Sequence, residues 1–292
     1  MMVREAVYAQ QGWYPLGRDA CIRAIEAMKV APAPADMPER PVAGVVPHAG
    51  WVFSGATALS VVKAIASRRQ PKTFVLFGPS HRLHLRSGAV FSVGAWKTPL
   101  GAAQVDERLA SEILSRAGPL AVDDPNPHLP EHSLEIQVPF IQYAVPGAKI
   151  VPILVPPSRE TVDLGRIVGQ AILSLNADAV CLGSSDLTHY GSNYGFTPVG
   201  VGPAALQWVR DENDRGMMDL MVCLDAEAVV PAAQQHMNAC GAGAIAATMA
   251  AARELGATRG CVIQYTTSYD VMRETMGRTD YQAAVGYGGV VF

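Results

Sequence analysis

The sequence predicts a single α/β domain, and three short apolar runs predict it. Residues 42–46 stop at Pro47-His48-Ala49-Gly50, residues 73–77 stop at Gly78-Pro79-Ser80-His81, and residues 179–182 stop at Gly183 and then Ser184, Ser185, Asp186, Thr188 and His189. Short continuous apolar runs bounded by glycine and proline read as strands buried on both faces. Open α/β sheets place ligands in the loops beyond the carboxyl ends of their strands. Each of these three ends carries a histidine, so this edge of the sheet is the predicted functional edge.

Along the chain, a helix is expected over residues 19–28, followed by the proline-rich surface connection APAPADMPERP; residues 1–41 read as an extension packed on the domain. Residues 54–69 have apolar positions 58, 61, 62, 65 and 66 at helical spacing, with Ser54 as the N-cap. Strand, helix and strand then make one βαβ unit over residues 42–77. A right-handed crossover leaves its strands parallel, and if they are adjacent they lie about 4.8 Å apart, so that His48 and His81 face one ion. Residues 88–101 read as a hairpin or a pair of short strands. An amphipathic helix follows over 105–117, then a polar loop over 123–133, and a helix over 134–145. A strand at 149–155 and a helix at 159–175 lead into the 179–182 strand as a second βαβ unit. The remainder reads as a helix over 203–223 carrying the solvated run RDENDR, helices over 225–237 and 241–255, and closing strands at 261–266 and 283–292. No repeat of roughly 20 to 50 residues is present, which favours one domain.

Composition narrows the function. The 292 residues are 49% hydrophobic and 17% charged, with a formal net charge of -3. That balance describes a globular chain and argues against nucleic acid or an anionic membrane as the main partner, leaving a small or peptide-like ligand. The N-terminus holds no signal-peptide pattern and no stretch approaches the roughly 20 apolar residues of a membrane span, so a cytoplasmic location is expected. Five cysteines, scattered and without a CxxC pair, indicate neither a disulfide framework nor a zinc knuckle. No Walker loop or strand-linked GxGxxG is present, and GSSD is not a nucleophile elbow.

The chemistry-bearing candidates are His48 and His81, two imidazoles from one βαβ unit, with Cys240 of NACGAG as a third metal ligand. The positive end of the following helix, or the metal itself, would hold Cys240 as thiolate; the alternative is that Cys240 packs against that helix, as Cys181, Cys223 and Cys261 do. Asp186 and His189, three apart, suit an acid–base pair on one turn, or else Asp186 caps a helix. His132, between Glu131 and Ser133 and close to Glu135, is either a proton shuttle or a solvated loop residue. Arg82 and Arg86 lie near the same edge and suit an anionic ligand. His84, His128 and His236 have no such setting.

Taken in order, PHAGWVFSG, FGPSH, EHSLEIQVPF, GSSDLTHYG, NACG and the terminal VGY resemble the Memo family, also called AmmeMemoRadiSam system protein B, from about residue 42 to the end. PHAG is followed here by Trp51, where tyrosine is common in the family. The resemblance implies the fold of the catalytic subunit of class III extradiol dioxygenases, a central mixed β-sheet flanked by helices with the site at one end. It implies a mononuclear iron site with His48, His81 and Cys240 as ligands, and with Asp186, His189 and His132 around the pocket. Iron(II) is the expected metal, with zinc or copper as alternatives. Expected functions are a dioxygenase-like oxidoreductase acting on a phenolic molecule or peptide, a non-catalytic phosphotyrosine or peptide-binding module in the same cleft, or a zinc hydrolase. The family name also implies partnership with radical SAM and AMMECR-type proteins.

Overall fold

In the computed structural model, which describes residues 2–277 and 280–292, the three apolar runs become parallel strands in the middle of a nine-stranded mixed sheet. Strand order is His189–Gly191, Ala283–Val291, Ala43–Val46, Ala179–Ser184, Thr73–Pro79, Lys149–Val155, Gly88–Val90 and Ala121–Asp123, with Cys261–Thr267 also paired to Ala283–Val291. The four strands from Ala43–Val46 to Lys149–Val155 are mutually parallel, and Ala283–Val291 runs antiparallel beside them. This is an α/β domain with a mixed central sheet. Almost every residue of the four parallel strands is buried, which is why they read as unbroken apolar runs.

One expectation about pairing fails. Ala43–Val46 and Thr73–Pro79 are not neighbours, because Ala179–Ser184 lies between them and bonds to both. A crossover fixes direction but not adjacency, and three equally apolar strands carry no mark of their order. His48 and His81 therefore start two strand spacings apart, about 9.6 Å, and meet through their side chains.

The helix Trp51–Arg68 covers one face of the sheet, and Glu160–Ser174 packs with Ala242–Glu254 on the other. The alanine-rich composition of that last helix has a packing reason. A Cβ at Gly165 would run into the backbone of Ala247, so the two helices meet at close range. Ser54 is not the N-cap expected of it. The helix begins a turn earlier at Trp51, and the Ser54 hydroxyl donates to the Ala49 carbonyl at 2.8 Å.

Residues 88–101 divide between two sheets. Gly88–Val90 joins the main sheet, whereas Ala95–Thr98 and Gly101–Gln104 form a hairpin that takes Val3–Arg4 as a parallel third strand. The N-terminal segment is thus stitched in from its first residues. The 134–145 helix opens as a 3-10 turn, Glu135–Gln137, before Val138–Ala144. The 203–223 helix contains a π turn, Val209–Asn213, and two residues of its supposedly solvated run, Asn213 and Asp214, are buried. Ser268–Met276, a helix that the sequence reading omits, follows its strand directly through a Thr267/Asp270 capping box. No helix among the described residues is long and apolar enough to cross a membrane.

Candidate metal centre

Three loops converge at the carboxyl ends of the parallel strands. His48 follows Ala43–Val46, His81 follows Thr73–Pro79, and Cys240 lies between the helices Ala226–His236 and Ala242–Glu254. The Cys240 loop is tied to the end of the Ala179–Ser184 strand: Cys240 N–H donates to the Asp186 carbonyl at 3.2 Å, and Gly241 N–H donates to the Ser185 hydroxyl at 2.9 Å. As a result one nitrogen of His48, one of His81 and the Cys240 sulfur all lie within 4.8 Å of one another. The sulfur is 3.1 Å from His48 Nε2.

Hydrogen-bond partners assign the ring protons. The Ser184 hydroxyl donates to the Ser133 carbonyl at 2.8 Å, so at 3.0 Å from His48 Nδ1 it accepts, and His48 carries its proton on Nδ1. The Nε2 lone pair then faces the sulfur. His81 Nδ1 is 2.9 Å from the Glu131 carboxylate. The partners around Glu131 hold it ionised against its burial, chiefly through the His81 contact, and an ionised carboxylate only accepts. His81 therefore also leaves Nε2 free. A histidine oriented through its far nitrogen by a carboxylate or hydroxyl is the arrangement common to metal-binding imidazoles. Two imidazole lone pairs and one sulfur, each suited to bonds of about 2.0 to 2.3 Å, fit a single transition-metal ion.

Burial pushes the Cys240 thiol up, and the Asp186 charge adds to that. The helix start at Ala242 does not by itself make the sulfur a thiolate, which leaves a bound cation as the group able to do so. His48 is buried and its basicity is lowered well below normal by desolvation and then by His81, so it stays neutral.

Asp186 caps no helix. Its Oδ1 accepts the His48 backbone N–H at 2.6 Å, so the residue that follows one strand fixes the histidine that follows its neighbour. Burial raises the Asp186 pKa. His189 opens the short strand His189–Gly191 instead of sharing a helical turn with Asp186, and its Nε2 sits 4.0 Å from Asp186 Oδ2. Its Nδ1 is 3.2 Å from the Leu187 carbonyl, which places the proton there and leaves Nε2 as the basic nitrogen. His132 is not a solvated loop residue. It stacks on His81 with ring centres 4.5 Å apart and packs at a tilt against Trp13 at 4.6 Å, and burial above all pulls its pKa down to about 3.

These groups open into a cavity of about 470 Å³ lined by His48, His81, His132, Asp186 and His189 together with Trp13, Phe53, Tyr194 and Tyr287. Arg82 and Arg86 are not among its lining residues, and His84 lines a separate hollow beside Arg82. His128 is buried among Phe91 and Trp96, away from the cavity. The aromatic wall escaped the sequence reading because Trp13 comes from the N-terminal segment, Tyr194 from the 3-10 turn Ser192–Tyr194 and Tyr287 from the interior of the strand Ala283–Val291, three places far apart in the chain. Glu131 was visible beside His132, but its grip on His81 was not.

The profile of the Memo-like protein family matches residues 4–291. The chain belongs to the Memo family. A MEMO1 family protein of Thermococcus kodakarensis is 38% identical over 260 residues, 87% of each chain, and one of Pyrococcus horikoshii is 36% identical over 256 residues, 85% of this chain and 86% of the relative. In three dimensions this Memo protein is similar to an uncharacterized protein of Escherichia coli K12, with a TM-score of 0.56 and 12% identity, covering 87% of this chain and all of the other. That likeness speaks for the fold alone.

Proposed function

We propose that His48, His81 and Cys240 hold one iron(II) ion and that this Memo protein is a metal-dependent oxidoreductase of the dioxygenase kind, acting on a phenolic group. The observation that carries the reading is the meeting of ligand atoms of His48, His81 and Cys240 within 4.8 Å of one another, with Ser184 and Glu131 bonded to the Nδ1 of each ring and the sulfur 3.1 Å from His48 Nε2. Iron held by three protein ligands supplies Lewis acidity and redox capacity at its remaining positions.

The chain's own residues do the rest. His189 accepts the phenolic proton at Nε2, and the Asp186 carboxylate 4.0 Å away favours the imidazolium so formed. His132, with its low basicity, returns a proton readily once it has one. Trp13 and Phe53 pack the ring and exclude water from the buried side of the cavity. The test is oxygen uptake by protein loaded with iron under anaerobic conditions and moved into air with a panel of catechols and tyrosine-derived peptides. Uptake should depend on the added phenol and fall by about 100- to 10,000-fold in His189→Ala with unchanged metal content. Absence of uptake across the panel would refute the reading.

One feature favours a longer ligand, as in the second reading of a non-catalytic peptide cleft. A largely apolar groove of about 770 Å³ adjoins the cavity and shares Trp13 and Phe53 with it. Peptide affinity that survives His48→Ala would support that reading over turnover.

A further inference from the structure

The RDENDR run reads as the wet side of a helix, yet two of its residues turn inward. The π turn Val209–Asn213 closes with the Asp214 N–H on the Val209 carbonyl, five residues back. That extra residue rotates the run, and Asn213 and Asp214 end 4% and 0% exposed. A π turn inserted in an α-helix is often found where a side chain must be re-aimed for function.

What the two residues grip is specific. Asp214 accepts the Thr188 N–H at 2.9 Å and the Tyr265 hydroxyl at 2.7 Å. The Asn213 side-chain amide donates to the Thr188 hydroxyl at 2.9 Å and to the His236 carbonyl at 3.0 Å, while the Asn213 backbone carbonyl accepts from the Asn238 side-chain amide at 3.0 Å. Thr188 stands between Asp186 and His189; Asn238 stands two residues before Cys240. Asn213 therefore ties the loop bearing the acid–base pair to the loop bearing the sulfur.

The Cys240 loop needs such a tie. Residues 238–240 lie outside any helix or strand, and the loop is entered through Met237 at φ +51°, a backbone conformation that persists in a side-chain-bearing residue only where its surroundings enforce it. Asn238 is also 2% exposed, with an amide oxygen that has no partner among the described residues. An apolar side chain would fill that space without stranding an acceptor. The amide does one thing an apolar residue cannot, which is to donate to Asn213.

We propose that Asn213 is a positioning residue for the metal centre, holding the Cys240 sulfur in register with His48 and with the Asp186–His189 loop. The inference rests on the reading of the centre given above. Asn213 touches neither the ligand atoms nor the cavity, so its side chain acts through Thr188 and the His236 carbonyl at the head of the Cys240 loop, and its backbone carbonyl acts through Asn238.

The test uses cobalt(II) alone as probe on the full chain, following both affinity and the sulfur-to-cobalt charge-transfer absorption. Asn213→Asp keeps the shape but removes the donor, and Asn238→Ala removes the partner while leaving Asn213 in place. Both should bind cobalt about 10- to 100-fold more weakly, the range seen when groups behind a ligand are lost, with a diminished thiolate band. Ile25→Ala, a cavity in the Arg18–Ala27 helix, which contributes no residue to the lining of the metal cavity, is the control for general destabilisation and should keep both affinity and band. Wild-type affinity and band in Asn213→Asp and Asn238→Ala would overturn the proposal, as would their equal loss in Ile25→Ala. A wild-type protein that binds cobalt with no thiolate band would instead overturn the reading of the centre, and this inference with it.

Discussion

Arg4 is the place where the N-terminal segment is locked to the centre, and replacing it by methionine tests that link. The side chain is 1% exposed. Its Nε donates to the His128 carbonyl at 2.7 Å, one terminal nitrogen to the Glu131 carbonyl at 2.6 Å, and the other to Glu135 at 2.7 Å, with the guanidinium 4.4 Å from the centre of the Trp96 ring. Arg4→Met fills much of the volume but strands the Glu131 carbonyl, leaves the His128 carbonyl with the Glu131 N–H at 3.3 Å, and leaves the Glu135 carboxylate with Tyr8 N–H, Ala9 N–H and the Tyr14 hydroxyl. Breaking a buried pair from one side costs about 3 to 5 kcal/mol, a fall in Tm of roughly 5 to 8 °C for a chain of this size. Removing the charge from the other side should restore part of the loss, so Arg4→Met with Glu135→Gln should be more stable than the two single changes predict by about 0.5 to 3 kcal/mol. Thermal unfolding of the four proteins measures both quantities. A single variant within about 2 °C of wild type, or strict additivity in the cycle, would refute the claim that this ion pair holds the segment down.

Other outcomes follow from the same geometry. Glu131→Gln keeps the shape but removes the charge that accepts from His81 Nδ1 and from the His132 and Ser133 N–H groups, so metal affinity should drop about 10- to 100-fold in a competition titration; unchanged affinity would show that His81 needs no orienting carboxylate. Acid should destabilise the metal-free protein. His48, His128 and His132 are held neutral by burial, the last two at about 3, so the unfolded chain takes up three protons near the ordinary histidine value that the native chain refuses. Asp186 and Asp214, raised by burial and the latter to about 6, work the other way, since the native chain takes those protons first. Three protons taken up on unfolding outnumber the two that the native chain can take first, so stability should fall by at least about 1 kcal/mol over the pH unit between roughly 6 and 5. Urea midpoints across that window read the slope, and a flat or rising trend contradicts it. Gly183→Ala should also destabilise by about 1 to 3 kcal/mol through overpacking, because its Cβ would collide with the Thr248 hydroxyl and approach the Ala244 carbonyl; an unchanged denaturation midpoint would show that the two elements can separate at little cost.

Much of this was legible in the chain because the central strands are buried on both faces. Such strands leave continuous apolar runs, and the abrupt polarity at His48, His81 and Ser184 marks where each emerges. The order of those strands was not legible, since nothing in three apolar runs says that Ala179–Ser184 lies between the other two. Partners supplied over long separations were hidden for a related reason. Arg4 in MMVREAV looks like a surface charge until Glu135, 131 positions away, is brought against it. Asn213 and Asp214 looked solvated because the helical period was counted without the π turn that rotates them inward. The reach of Trp13 to His132 likewise depends on the fold of a segment whose composition announces only a surface extension.

The central claim is that His48, His81 and Cys240 grip one ion together. Untagged protein should be loaded anaerobically with iron(II), freed of excess metal by gel filtration and assayed for iron per chain. One iron per chain is expected in the wild type, with near-complete loss in each of His48→Ala, His81→Ala and Cys240→Ser where those variants remain folded. Iron retained at the wild-type level in all three folded variants would contradict the account.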